Sequence, residues 1–349
     1  MHDKAEGPRG PSAFLNDWGG RMIRVNLLVT LFFIPLASAS GGVVDFLQAR
    51  WDAAPRIIDG DERSLDGGIR YSVSGGSYEA FRDSFTWAVV PDVITFQNAI
   101  NDSFSAWTAV DPVSGLHTDI SFLADFETPV ATLGGFGRLD PRGAEIDLIA
   151  SNSGQAGYRA LTAVSRIGMP VALTSGVEDY QPSAAIGGVD LHLNNHPSTP
   201  YTIDIFRRLL THEIGHAIGL GDVDFGGAFI DDNYDPDDPL QTLTNSWALL
   251  VDPFDPVGSI GLGVFDVPST DLQTYGVDIL MESNGLGIGP TNPISERFPL
   301  RNDDYAMRQF LYPVVAVPES RCWLIVYVIQ MLLIRLWWWR RPSTIFSSS

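Results

Sequence analysis

Two histidines four residues apart, with an acid beside the first, lie in the stretch of the chain richest in chemistry, Thr211–Asp222 (THEIGHAIGLGD). On a helix, side chains at i and i+4 leave the same face about one turn apart, so the imidazoles of His212 and His216 are spaced to grip one Zn²⁺. Glu213 stands next to the first of them, placed to accept a proton from an attacking water. At Gly219 the helix can stop and the chain can turn left-handed. That turn would return Asp222, six residues past His216, as a third ligand. Three protein ligands leave one position open, the arrangement of a catalytic rather than a structural zinc site. With 6 His and 10 Glu among 349 residues, the bare His-Glu-x-x-His pattern is expected by chance about 0.003 times. A helix whose histidines merely cap or pack is therefore the weaker reading.

The elements that must position these side chains are legible from periodicity. Gly68–Ser74 alternates apolar and polar residues and predicts a strand. Pro91 opens a segment in which Val93, Phe96, Ile100, Phe104 and Trp107 recur every three or four residues, predicting one amphipathic helix. Asp119–Phe126 and Ala144–Ala150 alternate again, and Val171–Thr174 and Ile186–Leu193 read as further strands. Gly157–Gly168 is ambiguous, with helical spacing but glycine at both ends. Ile203–Leu220 reads as a second long helix carrying the histidines, and Asn302–Leu311 as a third, with Asp303 and Asp304 suited to its N-terminus. The expected class is α/β (α+β): a twisted mixed sheet of about five strands over long helices, with the zinc site on the second long helix.

On these residues the sequence resembles a known family. HEIGHAIGLGD is similar to the long zinc-binding motif of metzincin metalloproteases, with Asp222 where most members have a third His. Asp278-Ile279-Leu280-Met281 resembles their methionine turn, with Met281 beneath the metal. FQNAINDSFSAWTAV followed by DISFLADF looks like their first helix and second strand, GGVDLHLNN like the edge strand that holds substrate, and NDDYAMRQFLYP like their final helix. The likeness is greatest to the matrixin branch and covers about Leu65–Pro313. The stretch between Asp222 and Met281 is longer than in matrixins, and Ser283 stands where astacin-like and serralysin-like members have Tyr. The resemblance implies a zinc endopeptidase that cleaves an extended polypeptide, with Glu213 as general base and substrate paired to the strand Ile186–Asn194 by strand addition. A surface or matrix binding protein that keeps the fold without turnover, or a zinc hydrolase of a non-peptide substrate, are the other readings. Glu213 argues against the first of these, since binding alone needs no base.

Charge and termini set the surroundings. Lys+Arg number 22 against 42 Asp+Glu, a net charge of −20, which excludes nucleic acid as a main partner. The single cysteine, Cys322, rules out an intramolecular disulfide. Met22-Ile23-Arg24, the apolar run Val25–Leu36 and Ala37-Ser38-Ala39 have the three parts of a secretory signal peptide, so 1–39 is expected to be removed, with the true start at Met1 or Met22. Val317-Pro318-Glu319-Ser320, the apolar stretch Trp323–Trp339 and Arg340-Arg341 resemble the bacterial PEP-CTERM sorting signal. That likeness implies a sorting transpeptidase as a partner of residues 318–349, transient or permanent membrane contact, and a secreted or cell-surface location.

The stretch between, 40–317, is expected to be one catalytic domain at −24, with an acidic insertion at 223–277. Within it Asp231, Asp232, Asp235, Asp237 and Asp238 crowd carboxylates on a segment suited either to Ca²⁺ or to solvent. Asp59 or Asp61 could reach the zinc in a precursor, while His117, His192 and His196 read as surface or core histidines rather than a second zinc site.

Overall fold

Asp92 and Thr202 start the two long helices that the periodicity predicts, each as an N-cap. The Asp92 carboxylate accepts the amide of Thr95 and the Thr202 hydroxyl that of Ile205, satisfying donors that the first turn leaves without a partner. The computed structural model describes residues 42–44, 48–112, 114–168, 170–181, 183–222, 227–231, 251–258, 263–267, 280–281, 300 and 302–315, all within one unit, Ser38–Ser349. In chain order these form β1 (Gly42–Val44), β2 (Ile57–Ile58), β3 (Asp61–Glu62), β4 (Ile69–Val73), α1 (Tyr78–Asp83), α2 (Val93–Thr108), β5 (Phe122–Ala124), β6 (Ile146–Ser151), β7 (Ala160–Ile167), β8 (Ala185–Asn194), α3 (Ile203–Ala217), β9 (Gly227–Asp231), β10 (Gly263–Val267) and α4 (Asn302–Leu311). The class is mixed α/β, built on a five-stranded sheet in the order β5-β4-β6-β8-β7. All its pairings are parallel except β7 with β8.

That order overturns one expectation. Ile186–Asn194 is not the edge: β8 lies between β6 and β7, and all ten of its residues are buried. Its alternation is genuine, but both faces are covered. Val189, Leu191 and Leu193 enter the core, while Asp190, His192 and Asn194 lie under loop segments that supply their hydrogen bonds. The edge is β7, from the stretch 157–168, which pairs on one side only among the described residues and leaves every one of its positions partly exposed or exposed. Two further strands are shorter than their pattern suggests. Asp119–Phe126 pairs only over Phe122–Ala124, and Val171–Thr174 forms a loop closed by a single bridge from Val171 to Tyr180.

The apolar faces of α2 and α3 meet over the sheet. Phe96, Ile100, Phe104 and Trp107 from α2 join Phe206, Leu209, Leu210 and Ile214 from α3 in one core. Trp107 Nε1 donates to Thr211 O at 2.7 Å and Ser103 Oγ to Arg207 O at 3.0 Å, which sets the helices in register. Buried arginines do the remaining capping. Arg50 donates to the C-terminal carbonyls of Phe310 and Leu311 on α4, and Arg308 to those of Trp107 and Ala109 after α2, where the helix dipole favours a cation. The stretch before Leu65 is thus part of the core, with Arg50, Trp51 and Arg63 among its most buried side chains. The acidic insertion also contains ordered backbone: β9 and β10 form an antiparallel sheet with β1. Among the described residues no helix is long and apolar enough to cross a membrane, and both terminal sorting segments lie outside them.

Candidate metal centre

His212 and His216 sit one turn apart on α3, and their Nε2 atoms approach to 3.1 Å. Each ring has its other nitrogen fixed by a backbone carbonyl: His212 Nδ1 by Leu280 O at 2.7 Å and His216 Nδ1 by Leu220 O at 2.9 Å. With Nδ1–H donating to those carbonyls, a neutral ring presents the Nε2 lone pair to the centre. Asp222 Oδ1 lies 3.2 Å from both Nε2 atoms and is buried without a hydrogen-bond partner. Three acceptors therefore converge on one point. Among the described residues this is the one group of three or more potential metal ligands, with its donor atoms within 4.8 Å of one another.

Such a set could hold a cation. Without a metal, protons serve: burial opposes charge on His216, but the Asp222 and Glu213 carboxylates raise its pKa to about 10. His212 is raised as well, against burial, by the Asp222 carboxylate. Burial alone would push Asp222 up, yet the two imidazoles draw it well below the usual carboxylate range. A nitrogen, nitrogen, oxygen donor set with an orphaned buried carboxylate oxygen fits Zn²⁺, the ion expected from the spacing.

The geometry at the end of α3 explains how Asp222 arrives. The amide of Leu220 bonds to Gly215 O and that of Gly219 to His216 O, a Schellman closure with Gly219 at φ +104°. Gly219 also packs so close to the preceding chain that a Cβ would fall 1.9 Å from Ala49 O. Trp51 Nε1 caps Ala217 O at 3.0 Å and the Tyr312 hydroxyl caps Ile218 O at 2.7 Å. The Leu220 carbonyl accepts from His216, so the turn that brings in Asp222 also orients His216.

Met281 is fully buried and lies against Gly215, where a Cβ would come 2.3 Å from its sulfur and 2.8 Å from Trp107 Cζ2. The residue before it supplies the carbonyl that holds His212, and its own amide is held in turn by Asp304 Oδ2 at 3.1 Å. Asp304, expected only to favour a helix start, therefore acts through Leu280 on His212. Glu213 is buried beside the centre, with Oε2 accepting the Thr162 hydroxyl at 2.6 Å. Tyr158, in the loop before β7, is held neutral by partial burial and by the nearby charges of Glu213 and Asp222.

Gly215, Thr162, Trp51 and Tyr312 were not singled out by spacing, and Asp304 was read only as a helix-start residue. Gly215 carried a further signal, as the small residue between the two histidines. Asp231 ends β9, whereas Asp232, Asp235, Asp237 and Asp238 lie outside the described residues. Asp59 lies in the β2–β3 turn and Asp61 begins β3, and neither is part of the His212, His216 and Asp222 cluster. His192 is a core histidine, its ring bonded to Ser151 Oγ and Arg138 O, both at 3.0 Å. His196 accepts the Ser198 amide in a turn, and His117 is exposed. A scan against protein-family models finds no match to this chain, and a search of curated proteins finds none either.

Proposed function

We propose that the chain is a zinc-dependent endopeptidase of metzincin type, exported and carried to the cell surface by its two terminal segments. The observation that carries this reading is the convergence of His212 Nε2, His216 Nε2 and Asp222 Oδ1 within one bond length of a common point, with the Glu213 carboxylate buried beside them. Zn²⁺ held there would supply Lewis-acid polarisation of a peptide carbonyl and of water. Glu213 takes the proton from the attacking water and passes it to the departing amine, a transfer that needs a carboxylate at hydrogen-bonding reach of both. Among the described residues β7 pairs only with β8 and packs alongside α3, so its other side is placed to receive an extended polypeptide as a further strand. Exposed Tyr158, just before β7, and partly buried Leu161, within it, present apolar surface to substrate side chains.

The test is zinc content and cleavage of a denatured protein by the full chain, wild type against Glu213→Ala. The expected result is stoichiometric zinc in both and cleavage by the wild type alone. Zinc in both with cleavage by neither would favour a binding protein that keeps the metal.

A further inference from the structure

The strand that would take the substrate also touches the base. Thr162 lies in the middle of β7, opposite Leu191 in register, with its neighbours on the same face, Ala160 and Val164, packed against the core. From there its hydroxyl reaches the carboxylate of Glu213 at 2.6 Å and the Glu213 carbonyl at 3.3 Å. One hydroxyl proton serves one acceptor at a time, and the shorter contact, to a carboxylate oxygen, takes it. Thr is β-branched, so its χ1 is restricted and the direction of the hydroxyl is set by the strand itself. Glu213, by contrast, has three rotatable side-chain bonds and is only 5% exposed, so water contributes little to holding it in place.

We infer that Thr162 is a positioning residue for Glu213: it anchors Oε2 to the substrate-bearing edge strand and thereby aims Oε1 at the proton to be transferred. The inference rests on the peptidase reading and adds to it a link between substrate docking and base orientation. A peptide that pairs with β7 rigidifies the strand from which the base is held, so seating of substrate and alignment of Glu213 are coupled through one residue. Since the anchor acts on the base and not on the peptide backbone, its loss should appear in turnover rather than in affinity.

The experiment uses the full chain, loaded with zinc, on one fluorogenic peptide. Thr162→Val keeps the shape and strand preference and removes the donor; it is expected to lower kcat by about ten- to a hundredfold, the range for loss of one hydrogen bond to a charged group. KM and zinc content should stay within about twofold, and Thr162→Ser, which restores a hydroxyl, should recover most of kcat. If Thr162→Val does not fold, Thr162→Ala replaces it. A kcat within twofold of wild type, a change confined to KM, or failure of serine to restore turnover overturns the inference. Glu213→Gln run alongside separates the two claims. Cleavage by wild type and none by Glu213→Gln, together with a fully active Thr162→Val, removes the Thr162 role alone. An inactive wild type removes the peptidase reading and the inference with it.

Discussion

Gly215 stands between the two histidines on α3, and adding a single methyl group there tests how tightly the proposed metal site is built. In an isolated helix, Gly→Ala is stabilising by about 1 kcal/mol, because glycine loses more backbone entropy on folding. Here the new Cβ would lie 2.3 Å from Met281 Sδ and 2.8 Å from Trp107 Cζ2. The methionine is flexible, but it is fully buried; the indole is rigid and pinned by its bond to Thr211 O. Overpacking of this kind costs about 1–3 kcal/mol. Set against the propensity gain, Gly215→Ala should destabilise by roughly 0–2 kcal/mol, and each kcal/mol lowers Tm by about 2–4 °C in a domain of this size.

The same push displaces Met281 and with it Leu280, whose carbonyl orients His212, so zinc affinity should fall about tenfold or more. Thermal unfolding and a competitive zinc titration, run on Gly215→Ala, Met281→Ala and the double variant, measure both effects. Alanine at 215 should cost less once Met281 is shortened, with a coupling of about 0.5–3 kcal/mol. A Tm that rises by the propensity amount, with zinc affinity unchanged, would refute the packing argument.

Two other perturbations probe the supports of the site. Asp304→Ala removes the acceptor for the Leu280 amide and should weaken zinc binding by about ten- to a hundredfold, whereas Asp304→Asn, which keeps an acceptor, should stay within a few-fold; equal losses in both would point to charge rather than to the hydrogen bond. On the far face of the sheet, burial pushes Asp147 up to about 8 and Asp190 up to about 7, each from an ordinary 3.8. Between pH 4 and 8 the unfolded chain has released protons that the fold still holds, so this pair's contribution makes the protein less stable as pH rises, levelling off above 8. Asp190→Asn removes one of the two titrations and should flatten the slope of Tm from pH 5 to 8 at fixed zinc; a wild-type-minus-variant difference that stays constant with pH would discard this account.

The helices were legible because their information is local. The apolar spacing from Val93 to Trp107 marks α2, and the repeat through Ile203–Leu220 marks α3 with only its last turn lost to the Gly219 closure. Strand identity was less so. The stretch 157–168 carried mixed periodicity because it lies at an edge, where every position is partly exposed and neither face imposes a clean alternation. The strand Ala185–Asn194 alternated well and still misled, because a polar row buried under a hydrogen-bonding loop has the same pattern as a polar row facing water.

By itself, then, the sequence determined which side chains could meet a metal, since an i, i+4 spacing on a helix and a glycine stop just beyond it are local features. His212, His216 and Asp222 follow from those, with Glu213 beside the first of them. What holds them was decided by tertiary structure: Leu280 orients His212 across 68 positions, Trp51 caps α3 across 166, and Thr162 meets Glu213 across 51. Contacts of that span depend on which strands pair and which faces pack, and strand order is a property of the assembled sheet that no single strand's pattern encodes.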